Sequence, residues 1–498
     1  MTRRNLALLC TFAIAASAQK LTAPPDARDR IDKVFTRFNR PDTPGCAVGV
    51  ALDGETVASL AYGMADLEHD VPLRPESIFE LGSITKQFTA AAVLLLAQQG
   101  KLSLDDPARK YLPELPDYGA TLTIRHLLNH TSGLRDWGSV EAIAGWPRTT
   151  RAYTHAHVLD ILSRQRSLNY RPGAEYSYTN SGYNLAAILV GRVAGKPLAD
   201  FTREAFFTPL GMTSTGWRDD FRRIVKGRAI AYSQNGNTVR QLMPFEDVHG
   251  NGGLLTTVGD LLRWNQNFTI AHQLDQGKLT DGRTIAYAAG LMVLHYKGLD
   301  EISHSGTTAG YNAWLGRYPA QHLSVAVLCN SSAANGTQLG HAVADVFLGD
   351  TAKAVAPPPA HPAKPGLYRS LRDFSVIEVG AESRNEFAGD RMRVPGEMDG
   401  GTWYQRVEKW TPTAAELASL AGDYTSDEAE VTLGVAVEQG QVVIHRRPDS
   451  TIPLTPVYKD AFRSSLGAVR FLRDSTGRVT ELSVSESRVW DLRFRKAK

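Results

Sequence analysis

Five prolines fall between Ala354 and Pro365. Neither a helix interior nor a central strand tolerates that density, because each proline has a fixed φ and lacks an N–H donor. Residues 350–365 therefore read as an extended linker, and they divide the 498-residue chain into two parts with different apolar rhythm. Before the linker, strand patterns stand at both ends of a long helical region. After it, only strand patterns recur, so the second part has to be built mainly from sheet.

In the first part, a helix is expected over 29–38, and residues 45–61 alternate as a hairpin around an Asp53-Gly54 turn. Helical patterns dominate from Ser83 to about Gly216. Strands return at 301–305, 312–318 and 323–328, followed by a helix over 338–348. One sheet covered by helices follows. Past the linker, residues 366–410 carry short strand signals without a core pattern. Residues 431–437, 441–445, 468–472, 479–484 and 489–494 then alternate between turns, as in a small antiparallel barrel.

A net charge of +3 arises from 55 basic and 52 acidic residues with no basic block, which argues against a nucleic-acid partner. Thr2, Arg3 and Arg4, an apolar run from Leu6 to Ala16, and the small residues Ala16-Ser17-Ala18 read as a signal peptide over 1–18. The protein is thus expected outside the cytoplasm, secreted or periplasmic, with no apolar stretch long enough to span a membrane. Export leaves Cys46 and Cys329, either as a disulfide or as two buried thiols. Cysteines and histidines at metal-ligand spacing are absent, so neither a metal nor another cofactor is expected.

Three short patterns carry chemistry. Ser83 and Lys86 form an S-x-x-K at the start of the apolar helical run from Phe88 to Leu96, where residues three apart share a face. A second S-x-x-K, Ser17 to Lys20, shows that the spacing alone is weak, and signal cleavage would separate that pair. Tyr178-Thr179-Asn180 is the chain's one Y-x-N and supplies a phenol and an amide in a loop before a helix. His304-Ser305-Gly306 is its one H-x-G, placed on a strand and followed by Thr307; the glycine lets a ligand approach the backbone. A free lysine at pH 7 is neutral in about one molecule in 2,500, so using it as a base costs roughly 4.6 kcal/mol unless burial lowers that figure.

In this order and setting, the three patterns resemble the serine β-lactamase and penicillin-recognising hydrolases, in the branch holding class C β-lactamases, D,D-peptidases, D-aminopeptidases and related esterases. Further landmarks are Leu122 to Leu134 (LTIRHLLNHTSGL) and Gly250 to Thr257 (GNGGLLTT), with no chemistry assigned to either. The resemblance covers 28–349. It implies an α/β (α+β) fold in which an antiparallel sheet is flanked by helices and joined by a helical subdomain.

It also implies that Ser83 forms an acyl-enzyme while Lys86 and Tyr178 move the protons. Asn180 then orients the substrate, His304 and Gly306 line the cleft, and the backbone N–H groups of Ser83 and Thr307 form the oxyanion hole. Many lactamases and D,D-peptidases of the broader family carry lysine where this chain has His304, so a permanent carboxylate anchor is lost. That favours a peptidase or esterase acting on a small-molecule or peptide substrate over a β-lactamase or D,D-carboxypeptidase. A non-catalytic penicillin-binding or ligand-sensing protein is the reading from another class. The family's sheet order sets Cys46 beside Cys329 on antiparallel strands, which makes a cross-strand disulfide an expectation. Finally, residues 411–498 resemble the lipocalin-like barrel appended to many such hydrolases, after a short β segment at 366–410. Packing is the simplest role for that barrel, and a filter over the cleft is the alternative.

Overall fold

The computed structural model describes residues 21–497 except 149, 237, 268–269, 354–355 and 357–358. The expected signal peptide and the Ser17–Lys20 pair lie outside the described residues. At the Asp53-Gly54 turn, φ is 51° and 84°, the paired positive angles of a tight hairpin turn. It joins strands Cys46–Leu52 and Glu55–Tyr62. These complete an antiparallel sheet of six strands in the order Met292–Tyr296, Leu299–Thr308, Tyr311–Tyr318, Leu323–Cys329, Cys46–Leu52, Glu55–Tyr62.

Every residue of Cys46–Leu52 is buried, because helices cover both faces of the sheet. The two-residue period sorts its side chains between two cores. Ala47, Ala51, Leu315, Ala326 and Leu328 pack with Phe88 and Trp264 on one side. Val48, Val50, Trp314, Val325 and Val327 pack with Ile31, Phe35 and Val343 on the other. Cys46 and Cys329 face each other in register and are bonded as a disulfide, with Cα atoms 4.0 Å apart. The two-thiol alternative is therefore not what the chain adopts.

Helix Lys86–Gln98 ends before Gly100, which takes a left-handed φ of 69° just beyond it. Its start differs from the expected one. Ser83 lies in a 3₁₀ turn, Gly82–Thr85, that feeds the helix, rather than in the helix itself. A 3₁₀ turn eclipses residues three apart, which lines Ser83 up with Lys86.

Past residue 365, five short strands between Gly366 and Val407 form an antiparallel sheet around a small core in which Tyr368, Val379 and Met392 are buried and Ile377, Phe387, Val394 and Tyr404 partly so. So small a core leaves no periodic signal, which is why the sequence showed none. From Gly422 onward nine antiparallel strands form one sheet. Its two edges, Ser450–Pro453 and Thr455–Tyr458, are separated in the chain by Leu454 alone, so the sheet curls into a nearly closed barrel. The five strands expected from the sequence are all present. The other four are four or five residues long.

Candidate active site

The site begins where two glycines let backbones touch. At Gly82 φ is 53°, and a Cβ there would meet Thr307 N at 2.6 Å. At Gly306 a Cβ would meet Leu81 O at 1.8 Å. Strand Leu299–Thr308 therefore lies directly against the loop that carries Ser83, which a side chain at either position would prevent. The same contact brings the expected oxyanion donors, the N–H groups of Ser83 and Thr307, to neighbouring segments.

Lys86 is fully buried. Its Nζ lies 3.2 Å from Ser83 Oγ, 3.0 Å from Asn180 Oδ1 and 2.9 Å from Asn251 O. Burial drives its pKa well below the ordinary lysine value; the charges of Arg488 and Arg148 add to the shift and Asp136 opposes it. The two carbonyl oxygens can only accept. A neutral amine has two N–H groups for them, and its lone pair then faces the Ser83 hydroxyl.

Tyr178 sits beside this pair, its ring centre 4.8 Å from Lys86 Nζ. Its Oη is buried and has no hydrogen-bond partner among the described residues. Burial raises the phenol's pKa, while the nearby Ser83 hydroxyl and the Arg488 charge oppose that rise. Asn180 is fixed from behind, its N–H donating to Asp136 Oδ2 at 2.6 Å.

His304 is buried, with Nδ1 2.6 Å from Ser305 O and Nε2 3.1 Å from Tyr287 Oη. The carbonyl can only accept, so Nδ1 carries the proton and the Tyr287 hydroxyl donates to Nε2. Burial and then the Lys86 charge pull its pKa down to about 3. His304 is thus neutral with both nitrogens occupied.

Ser83, Tyr178, Asn180 and His304 line a cavity of about 390 Å³ together with Thr307, Met292 and three arginines, Arg148, Arg218 and Arg488, while Lys86 is buried and not part of the lining. Gly306 is buried and is not part of the lining. Sequence reasoning missed the arginines, which belong to no short motif. It also left the two landmarks without roles. In one, Asn251 supplies the carbonyl that holds Lys86. In the other, His130 packs against Tyr178 at 4.2 Å between ring centres. Among the described residues, the one histidine–carboxylate group compact enough for a cation is Asp66, Glu68 and His69, and none of these lines the cavity.

Residues 31–348 match the Beta-lactamase family. The chain is 29% identical over 329 residues to a penicillin-binding protein of Bacillus subtilis (strain 168), covering 61% of this chain and 72% of that protein. It is 27% identical over 493 residues to the D-aminopeptidase of Brucella anthropi, covering 89% and 93%. Among solved structures, the octameric penicillin-binding protein homologue from Pyrococcus abyssi shares the fold at a TM-score of 0.58 and 21% identity, over 95% of this chain and 99% of that one. The chain belongs to the Beta-lactamase family and is a serine hydrolase of it.

Proposed function

We propose that this protein is an exported hydrolase that forms an acyl-enzyme at Ser83 and cleaves a small amide, as in a D-amino-acid peptide, or a carboxylester. The observation that carries the reading is the set of three contacts around Lys86 Nζ. In the neutral form the amine donates to Asn180 and Asn251 and accepts the Ser83 proton as the hydroxyl attacks. The burial that lowers the lysine's pKa offsets the roughly 4.6 kcal/mol needed to deprotonate a free lysine at pH 7.

The phenol of Tyr178, held protonated by burial, is suited to donate to the departing group as the Lys86 ammonium, carrying the Ser83 proton, returns a proton to the phenolate. Asn180 orients the substrate and Lys86. The N–H groups of Ser83 and Thr307 would face the developing oxyanion, where such donors are typically worth about 3 kcal/mol. The similarity to a D-aminopeptidase over most of the chain supports an amide of a D-amino acid as substrate. The neutral His304 offers no charge for a lactam carboxylate at the H-x-G position, which speaks against β-lactamase action through that residue. Export is supported by the leader-like N-terminus and by the Cys46–Cys329 bond, since disulfides persist mainly outside the reducing cytosol.

The test is kcat/KM for a short-chain nitrophenyl ester, a D-alanine anilide and a chromogenic cephalosporin, measured with Ser83→Ala protein alongside. Turnover of the ester or anilide that vanishes in the variant is expected. Turnover of none of the three would favour a non-catalytic ligand-binding protein, and a dominant cephalosporin rate would favour the lactamase.

A further inference from the structure

The barrel reaches the catalytic cavity through one residue. Its hairpin between strands Val479–Glu486 and Val489–Lys496 carries Arg488, whose side chain lines the cavity with Ser83. The backbone there is held on two sides. Arg488 O accepts from Asp136 N at 3.2 Å and from Asn169 Nδ2 at 3.0 Å, and Trp490 N donates to Asn169 Oδ1 at 2.7 Å. Asp136 is the residue that also fixes Asn180, so the hairpin and the substrate-orienting amide share one anchor.

The charges around the cavity are unequally matched. Glu80 accepts from Arg218 Nε and Nη2, each at 2.9 Å, and from Arg228 at 3.2 Å. Glu246 pairs with Arg148, and the Asp136 oxygens accept from the N–H groups of Ser139 and Asn180. Each nearby carboxylate is thus engaged. Arg488 forms no ion pair among the described residues; its guanidinium lies 5.1 Å from the ring centre of Tyr178. Arg218, with a side chain only 2% exposed, keeps Nη1 without a partner among the described residues. Cationic hydrogen-bonding capacity therefore remains unused in this cavity, and an ammonium placed there would meet three guanidinium groups.

We propose that the substrate carries a carboxylate next to its scissile bond and that Arg488, delivered by the barrel, binds it. The inference rests on Ser83 being the nucleophile. Lys86 Nζ and the Arg488 guanidinium lie over the same Tyr178 ring, at 4.8 and 5.1 Å from its centre. Ser83 and Arg488 line the same cavity, so a carboxylate beside a carbonyl bound at Ser83 shares that cavity with Arg488. The anchor that His304 does not supply comes from another part of the chain.

Two substrate pairs test this on the full-length protein: N-acetyl-D-alanyl-D-alanine against its C-terminal amide, and N-succinyl- against N-acetyl-D-alanine nitroanilide. The first pair carries the carboxylate on the leaving side and the second on the acyl side. In one pair the acid is expected to be preferred by at least about tenfold in kcat/KM, chiefly through KM. Arg488→Ala brings that ratio close to one, and Arg488→Lys retains part of it. Arg488 also acts on Lys86 and Tyr178, so the ratio is the readout rather than the absolute rate. No acid preference in either pair, or one that survives Arg488→Ala, overturns the proposal. If no substrate shows Ser83-dependent turnover, the hydrolase reading itself fails. Calorimetric binding of N-acetyl-D-alanine to the original protein and to Arg488→Ala then decides: equal affinities overturn the proposal, and weaker binding by the variant supports it.

Discussion

A lysine sealed from water loses the hydration that favours its charge, and Lys86 is in that position. Because its pKa is lowered and its neutral form is the reactive one, kcat/KM should rise with pH through a limb lying well below the ordinary lysine range. Tyr178 acts protonated and its pKa is raised, so no falling limb from it is expected within the ordinary tyrosine range. A pH–rate profile checks both. Lys86→Met should lower kcat by about a thousandfold and Tyr178→Phe by about a hundredfold, the span of positioned acid–base groups.

His304 carries a separate consequence for stability. Its folded pKa of about 3 lies below the ordinary value, so the unfolded chain binds its proton first as pH falls. The stability that His304 contributes is complete above about pH 6.5 and is lost toward about pH 3, at roughly 1.4 kcal/mol per pH unit. Urea midpoints between pH 7 and 5 should therefore fall less steeply in His304→Gln. Ser83, Lys86, Tyr178, Asn180 and His304 were legible because each sits in a short pattern whose spacing reflects local geometry. Arg148, Arg218 and Arg488 were not, since tertiary packing alone brings them together.

At the scale of elements, the contact between the serine loop and strand Leu299–Thr308 controls geometry. Gly306→Ala puts a methyl group where Leu81 O already stands. The strand must move, and displacing the nucleophile by about 1 Å should cost roughly a hundredfold in kcat/KM, with about 1–3 kcal/mol of stability lost to overpacking. Activity and thermal melting measured on one preparation separate the two effects. The disulfide joins strands far apart in the chain, at a sequence separation of 283. Reduction should cost roughly 2–4 kcal/mol. Intact mass after alkylation without reductant should show no modified thiol at Cys46 or Cys329, and two alkylated thiols would contradict the bond. Five of the six central strands were readable from alternation and turn residues; the edge strand Met292–Tyr296 was not, since its side chains are only partly buried or exposed. The small five-stranded sheet was not, because so few buried side chains, scattered over short strands, leave no rhythm to read.

Across the whole molecule, the barrel shares a core with the helical part of the chain. Leu127, Leu134, Trp137 and Leu185 belong to one buried cluster with Leu433, Val484, Val489 and Phe494. Arg135 fastens the joint, its side chain 1% exposed. It donates to Glu428 Oε2 at 2.6 Å and to Asp491 O at 3.2 Å. The packing expected of this barrel is seen in that joint, and its hairpin also brings Arg488 to the cavity lining. Arg135→Ala leaves Glu428 without its buried partner and should destabilise the chain by roughly 3–5 kcal/mol, read from denaturant unfolding. Deleting 411–498 should expose the shared core and give aggregated protein on gel filtration.

The central claim concerns one oxygen atom, and intact mass spectrometry addresses it directly. The protein is mixed with a nitrophenyl ester, quenched in acid, weighed and digested. An added acyl group on the peptide containing Ser83, absent from Ser83→Ala together with turnover, is the expected result. Undiminished turnover in Ser83→Ala, or an acyl group on another residue, would contradict it.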